Sequence, residues 1–186
     1  FYDAVPIIPG TYTFNLLLEN TVSKEFTSIE KTISIPEGDP LWLSPLILAR
    51  RVAKNLPAGA ASRAYQVGTL QIYPCPNSTF QVKDRLFLFF QIHGLNSELK
   101  ESGILAFSIV KDGQMLQSSR KNVRDYGAGR DFLEEFSTDK LVPGTYAVKA
   151  SLLDKLGREV LSQKADFLVS DKAIPGTWVT AQANPP

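Results

Sequence analysis

The sequence predicts an all-β protein built around an antiparallel β-sandwich, and three observations carry that prediction. Short runs alternate apolar and polar side chains at period two, turn residues separate them at regular intervals, and one turn-plus-strand phrase occurs twice. The clearest run is Asp84–Ile92. Leu86, Leu88, Phe90 and Ile92 fall on one face of it, and Arg85, Phe87, Phe89 and Gln91 on the other.

The remaining elements follow in order. Gln66–Tyr73 reads as the first strand of the sandwich. Ile104–Val110 is apolar on both faces, as a central strand would be. Asp112-Gly113 then joins it to Gln114–Lys121, and an Asp-Gly pair between two such runs signals a hairpin, because Gly accepts positive φ without steric cost. Asp131–Phe136 is a further short run. Pro143 and Gly144 then make a turn, after which Tyr146, Val148, Ala150 and Leu152 share one face. Asp154–Gly157 turns the chain, and Leu161, Ala165, Phe167 and Val169 mark the return strand. Seven strands at this spacing predict one complete Ig-like or fibronectin-III-like sandwich over residues 63–172.

The repeated phrase is IPGTYTFNLLLEN at Ile8–Asn20, matched by VPGTYAVKASLLD at Val142–Asp154. Tyr12, Phe14, Leu16 and Leu18 repeat the phase of Tyr146, Val148, Ala150 and Leu152, and Ile29, Ile33 and Ile35 belong to a return strand. The copies lie 134 positions apart, the span of a domain plus linker rather than a solenoid repeat. Residues 1–48 therefore read as the last strands of an incomplete Ig-like domain, in a chain that starts inside that domain. Two strands alone bury too little to offset the entropy of ordering them, so Tyr12, Phe14, Leu16 and Leu18 form a candidate strand-completion face. An upstream segment, the neighbouring domain or another copy of the chain would cover it.

Residues 49–62 read as a linker, with Pro57–Ser62 its most flexible part. Ser44–Leu56 leaves two readings open: a helix capped by Ser44 with Pro45 at its first position, or an extended edge segment. Residues 173–186 form a C-terminal tail with a third Pro-Gly-Thr-aromatic phrase at Pro175–Trp178.

Composition narrows the function classes. A net charge of +1 gives no strong pull toward nucleic acid or anionic lipid, and the longest apolar runs are too short to span a membrane as helices. A single cysteine excludes a disulfide within the chain. The only histidine, His93, lies in phase with Arg85 and Gln91 and reads as structural. Cys75 lies between two prolines with no basic or histidine neighbour in sequence and reads as an ordinary thiol. The Gly127–Asp131 segment GAGRD lacks the third glycine of a dinucleotide fingerprint. Glu134 and Glu135 point to opposite faces, unlike a paired acid and base, and Asp112 and Asp154 sit in turns that carboxylates support. No catalytic residue, metal site or cofactor is expected.

Asn77-Ser78-Thr79 satisfies the N-glycosylation pattern and makes Asn77 a candidate in a glycosylating setting. Arg85, Phe87, Phe89 and Gln91 form a candidate contact face, since two phenylalanines on an outer face call for a cover from the same chain or from a partner.

The ordered phrases PGTYTFNLLLEN, ISIPEGDPLWLSPLILA, YQVGTLQIYPCPNSTFQVKDRLFLFFQIHG, LVPGTYAVKASLLDKLGREVLSQKADFLVS and AIPGTWV resemble the C-terminal β-rich region of bacterial GWxTD-domain and related acidobacterial extracytoplasmic proteins. The resemblance covers most of the chain and implies an exported, Ig-like, non-catalytic module within a longer polypeptide. No catalytic residue carries over. Tyr146, after its Pro-Gly-Thr turn, looks like the tyrosine corner of Ig-like sandwiches, and Tyr12 matches it.

The expected function is a non-enzymatic module for assembly or recognition, outside the cytoplasm. Its partner would be an upstream part of the same polypeptide or another protein subunit, with a homo-oligomer as a further option and no nucleic acid. The alternatives are a filament or surface-layer subunit completed by strand donation, and an accessory carbohydrate-binding domain using Tyr126, Phe132 and the Phe87/Phe89 pair.

Overall fold

The computed structural model describes residues 7–38, 40–54 and 65–172. The predicted linker Pro57–Ser62 and the tail with its Pro175–Trp178 phrase lie outside the described residues. The strands in order are β1 (Gly10–Glu19), β2 (Phe26–Ile35), β3 (Trp42–Leu43), β4 (Ile47–Lys54), β5 (Gln66–Val67), β6 (Leu70–Pro74), β7 (Thr79–Gln81), β8 (Arg85–His93), β9 (Ile104–Lys111), β10 (Gln114–Asn122), β11 (Asp131–Ser137), β12 (Gly144–Leu153) and β13 (Glu159–Ser170). A short helix, α1 (Ser97–Ser102), and a 3₁₀ turn over Val123–Tyr126 complete the set.

From β3 onward the chain is a β-sandwich. One sheet runs β10-β9-β12-β13-β7; the other runs β11-β8-β4-β6-β5, with β3 also on β8. The alternating positions meet between them: Leu86, Leu88, Phe90 and Ile92 of β8 share one core with Leu105, Phe107 and Ile109 of β9 and with Tyr146, Val148, Ala150 and Leu152 of β12. Phe90 stacks on Phe132 at 5.3 Å and meets Phe107 at 6.0 Å, joining the sheets through aromatic rings. The β9–β10 connection is the Asp-Gly turn, with both Asp112 and Gly113 at positive φ (49° and 78°), the geometry that matches the twist of the flanking strands.

The structure corrects several boundaries. Residues 49–54, read as linker, are the second half of β4, which pairs with β6 and β8. The sandwich thus includes β3 and β4 and does not start at residue 63. Ser44–Lys54 takes the extended reading: the Ser44 amide donates to the Gln91 carbonyl at 2.9 Å, and the Gln91 amide donates to Ser44 Oγ at 2.9 Å. The open edge of β8 offers this segment a ladder, which outweighs the local capping signal. Gln66–Tyr73 is two strands, because Gly68 at φ 56° reverses the chain between β5 and β6. Strand β7, absent from the sequence reading, pairs in parallel with β13 and buries Phe80 completely.

Strands β1 and β2 form a separate two-stranded sheet. Its register pairs Gly10 with Ile35 and Tyr12 with Ile33, as β12–β13 pairs Gly144 with Val169 and Tyr146 with Phe167. The sequence repeat is therefore also a repeat of strand register. The Tyr12 hydroxyl donates to the Ile8 carbonyl at 2.9 Å, and the Tyr146 hydroxyl to the Val142 carbonyl at 2.5 Å, the same four-residue reach across a Pro-Gly-Thr turn.

Replacing Tyr146 with Phe removes that hydrogen bond from a buried ring and is expected to cost about 1 kcal/mol in urea unfolding. The same change at the more exposed Tyr12 should stay within about 0.5 kcal/mol. Equal losses at the two positions would contradict the difference in burial.

Candidate functional site

The chemistry-bearing side chains occupy separate places. His93 stacks face to face on Trp42, its cross-strand partner, with ring centroids 4.4 Å apart, and its Nδ1 lies 3.3 Å from the Arg130 guanidinium. A cavity of about 260 Å³ nearby is lined by Ile92, Gly94, Lys100 and the Ala128–Arg130 loop. It places Lys100 and Arg130 together at one end of the sandwich. Cys75 is buried; the Arg50 Nε–H donates to its Sγ at 3.2 Å, and its thiol faces Asn77 Oδ1 at 3.0 Å. That arginine is a neighbour the sequence reading missed, since β4 brings it across 25 positions. Asn77 is exposed and also accepts from the Thr79 amide at 3.3 Å. Asp154 Oδ1 accepts from the Leu156 and Arg158 amides, and these backbone bonds, that of Arg158 first, hold its carboxyl below the usual carboxylate range. Among the described residues no group of three or more His, Cys, Asp or Glu converges to hold a metal.

Glu134 is the buried charge of the sandwich, at 4% exposure. Its phase with Phe132 and Phe136 turns it inward, while Glu135 turns outward to pair with Arg85 at 2.8 Å. Lys121 of β10 meets Glu134 Oε1 at 2.8 Å, and the Tyr126 hydroxyl donates to the same oxygen. These bonds clasp the edge strands β10 and β11 of the two sheets. Burial, and then the hydrogen bond to Glu134, push the Tyr126 phenol far above its ordinary value.

The proposed contact face on β8 is largely internal. Phe89 is 5% exposed, packed with Ala49 and Ile72 and meeting Tyr65 edge-on at 6.1 Å. The sheet curls so that β5 touches β11, and Val67, Leu133 and Phe87 close around this second, smaller core. Gln91 bonds Asp131 at 2.7 Å, and Arg85 alone of the four is well exposed. The aromatic platform of the carbohydrate alternative is likewise unavailable, because Phe132 is buried under Tyr126 and Phe90.

The β1–β2 hairpin is the surface with unmet demand. Tyr12, Phe14, Leu16 and Leu18 line one face beside Ile29 and Ile33, while Thr11, Thr13, Asn15, Ser28, Glu30 and Thr32 line the other together with the exposed Leu17 and Phe26. Phe14, Leu16 and Leu18 are 49%, 38% and 56% exposed, whereas their counterparts Val148, Ala150 and Leu152 are fully buried. Leu18 and Phe26 also line a concavity of about 380 Å³ at the turn end. Lys31 interrupts the face, with a stem long enough to lie along it and hold its ammonium at the rim.

No protein-family model matches the chain, and no curated protein matches it. Among solved structures, the chain is similar to the PmoD soluble domain from a Methylocystis species, at 13% identity and a TM-score of 0.33, over 70% of this chain and 96% of that one.

Two outcomes test the interior just described. Phe89→Ala should lower stability by about 3 kcal/mol, a core-sized loss that a surface contact residue would not give in urea unfolding. The phenol of Tyr126 is raised above its unfolded value of about 10, so its stabilising effect is complete below that pH and is lost as pH rises through it. Thermal unfolding followed from pH 8 to 11 should therefore fall more steeply for the parent protein than for Tyr126→Phe. Identical slopes would contradict the clasp.

Proposed function

We propose that the chain is a non-catalytic β-sandwich module, Ig-like in plan, that serves protein–protein assembly or recognition within a larger extracytoplasmic protein. One observation carries the reading: the apolar face of β1–β2 stands open among the described residues, while its in-register copy β12–β13 is buried. An amphipathic two-stranded sheet of this kind is marginal by itself and gains its stability from whatever β-structure covers it. The extracytoplasmic setting follows from the resemblance of the strand phrases to exported proteins. The unpaired edge of β1, ten residues long, also favours a second reading, a filament or surface layer completed by strand donation.

Amide hydrogen exchange at the outer edge of β1 tests the proposal, comparing the 186-residue chain with the protein purified from the cells that make it. Exchange slowed about a hundredfold or more in the native material is the expected result, as for an edge taken into a sheet. Equal, fast exchange in both would refute it.

A further inference from the structure

The end of the sandwich near His93 brings a cationic cavity next to an exposed aromatic ring. Lys100 stands in the last turn of α1 and lines the cavity of about 260 Å³. The two carboxylates of that helix are engaged elsewhere, Glu98 with Lys155 at 2.8 Å and Glu101 with Arg124 at 3.7 Å. Among the described residues Lys100 itself makes no ion pair, so its ammonium has donors to offer a ligand. Arg130 lines the same cavity, and its carbonyl accepts from the Ile92 amide at 3.0 Å, which ties this loop to β8. Gly94, Ala128 and Gly129 contribute backbone and at most one methyl group to the lining, which keeps the space open. The Arg130 guanidinium in turn meets His93 Nδ1 at 3.3 Å, and the imidazole lies within 8° of parallel to the Trp42 indole. His93 covers one face of that indole, yet Trp42 remains 37% exposed. Indole, imidazole, guanidinium and cavity thus form one continuous row.

We propose that this row binds an acidic polysaccharide built of uronic-acid residues, one carboxylate meeting Lys100 in the cavity and a neighbouring sugar ring lying on the Trp42 indole. A carboxylate gains a charge-assisted hydrogen bond from the ammonium. The C–H groups on one face of a sugar ring carry slight positive charge and rest on the negative face of an indole. The cavity is smaller than the roughly 300–1,000 Å³ of drug-sized sites, and so suits a single residue of a longer chain. Indole and cavity stand apart by the width of the imidazole and guanidinium, so one sugar ring does not serve both, and the ligand is a chain of two residues or more. An acidic peptide would satisfy Lys100 but carries no rigid ring at a fixed distance from its carboxylate to set on Trp42. The site goes beyond the assembly reading and shares no residue with the hairpin surface. It also uses none of the residues of the carbohydrate alternative, Tyr126, Phe132 and the Phe87/Phe89 pair.

Titration calorimetry of the 186-residue chain at low ionic strength tests the proposal, with linear galacturonate and mannuronate hexamers as probes. Binding of at least one hexamer is expected, weakened about tenfold or more by Lys100→Gln and likewise by Trp42→Ala. The methyl-esterified hexamer keeps the rings and loses the charge, and should lose affinity to the same extent as Lys100→Gln. Gly129→Glu places a carboxylate at the cavity and should abolish binding with the thermal midpoint unchanged, because a Cβ there meets only the Asp131 nitrogen, at 3.8 Å. Binding that survives both Lys100→Gln and Gly129→Glu overturns the site. A monomer or an esterified hexamer that binds as tightly as the acidic hexamer overturns the ligand. A glutamate-rich peptide that binds as tightly, with the same dependence on Lys100 and Trp42, overturns it in favour of an acidic protein partner. No binding of either hexamer overturns the proposal outright and leaves the assembly reading untouched.

Discussion

Strand β8 is apolar on both faces, and a strand in that condition must be covered twice. Its inward side chains, Leu86, Leu88, Phe90 and Ile92, bring the second sheet over them; its outward pair, Phe87 and Phe89, requires the sheet to roll back on itself. The curl that carries β5 toward β11 meets that second demand, and β3 and β4 share one edge of β8 while β11 takes the other. Burying a phenylalanine stabilises by roughly 2 kcal/mol or more, so leaving two on an open face would sacrifice a sizeable part of a domain's net stability. The layout of the second sheet follows from this one strand.

The hairpin β1–β2 obeys the same rule and has not been satisfied by the described residues. Its turn, tyrosine hydroxyl bond and register reproduce those of β12–β13, so local sequence is enough to specify the pair. The two copies differ in what lies against them. Strand geometry is thus set by near neighbours along the chain, and burial by strands distant in sequence.

That division also explains what was legible in the sequence. The long alternating runs, the Asp-Gly turn and the repeat could be read directly, because each is a local pattern in turn chemistry and period-two phase. The second half of β4 was missed because Arg50 and Arg51 obscure its pattern, and its identity comes from the ladders offered by β6 and β8. Strand β7 is too short for any periodicity, and only Phe80, sealed against Phe167, betrays it. The inward Glu134 was legible in principle from its phase with Phe132 and Phe136; its partners Lys121 and Tyr126 come from the strand and turn before it, and their convergence depends on the two sheet edges meeting. Arg50 beside Cys75 had no sequence signal at all.

The edges of the sheets carry a practical consequence. In the sandwich, β5 folds toward β11, and β10 carries a bulge between Met115 and Gln117 as well as the charges of Arg120 and Lys121. Such devices discourage one sheet from adding to another. Strand β1 carries a charge only at its turn end, at Glu19: Phe14–Leu18 is uncharged, free of proline and ladders without interruption in the described register. An uncharged, proline-free apolar stretch of this kind has the composition that favours cross-β stacking. This edge belongs to a sheet separate from the two that enclose the sandwich core, so substitutions along it bear on association at a place distinct from that core.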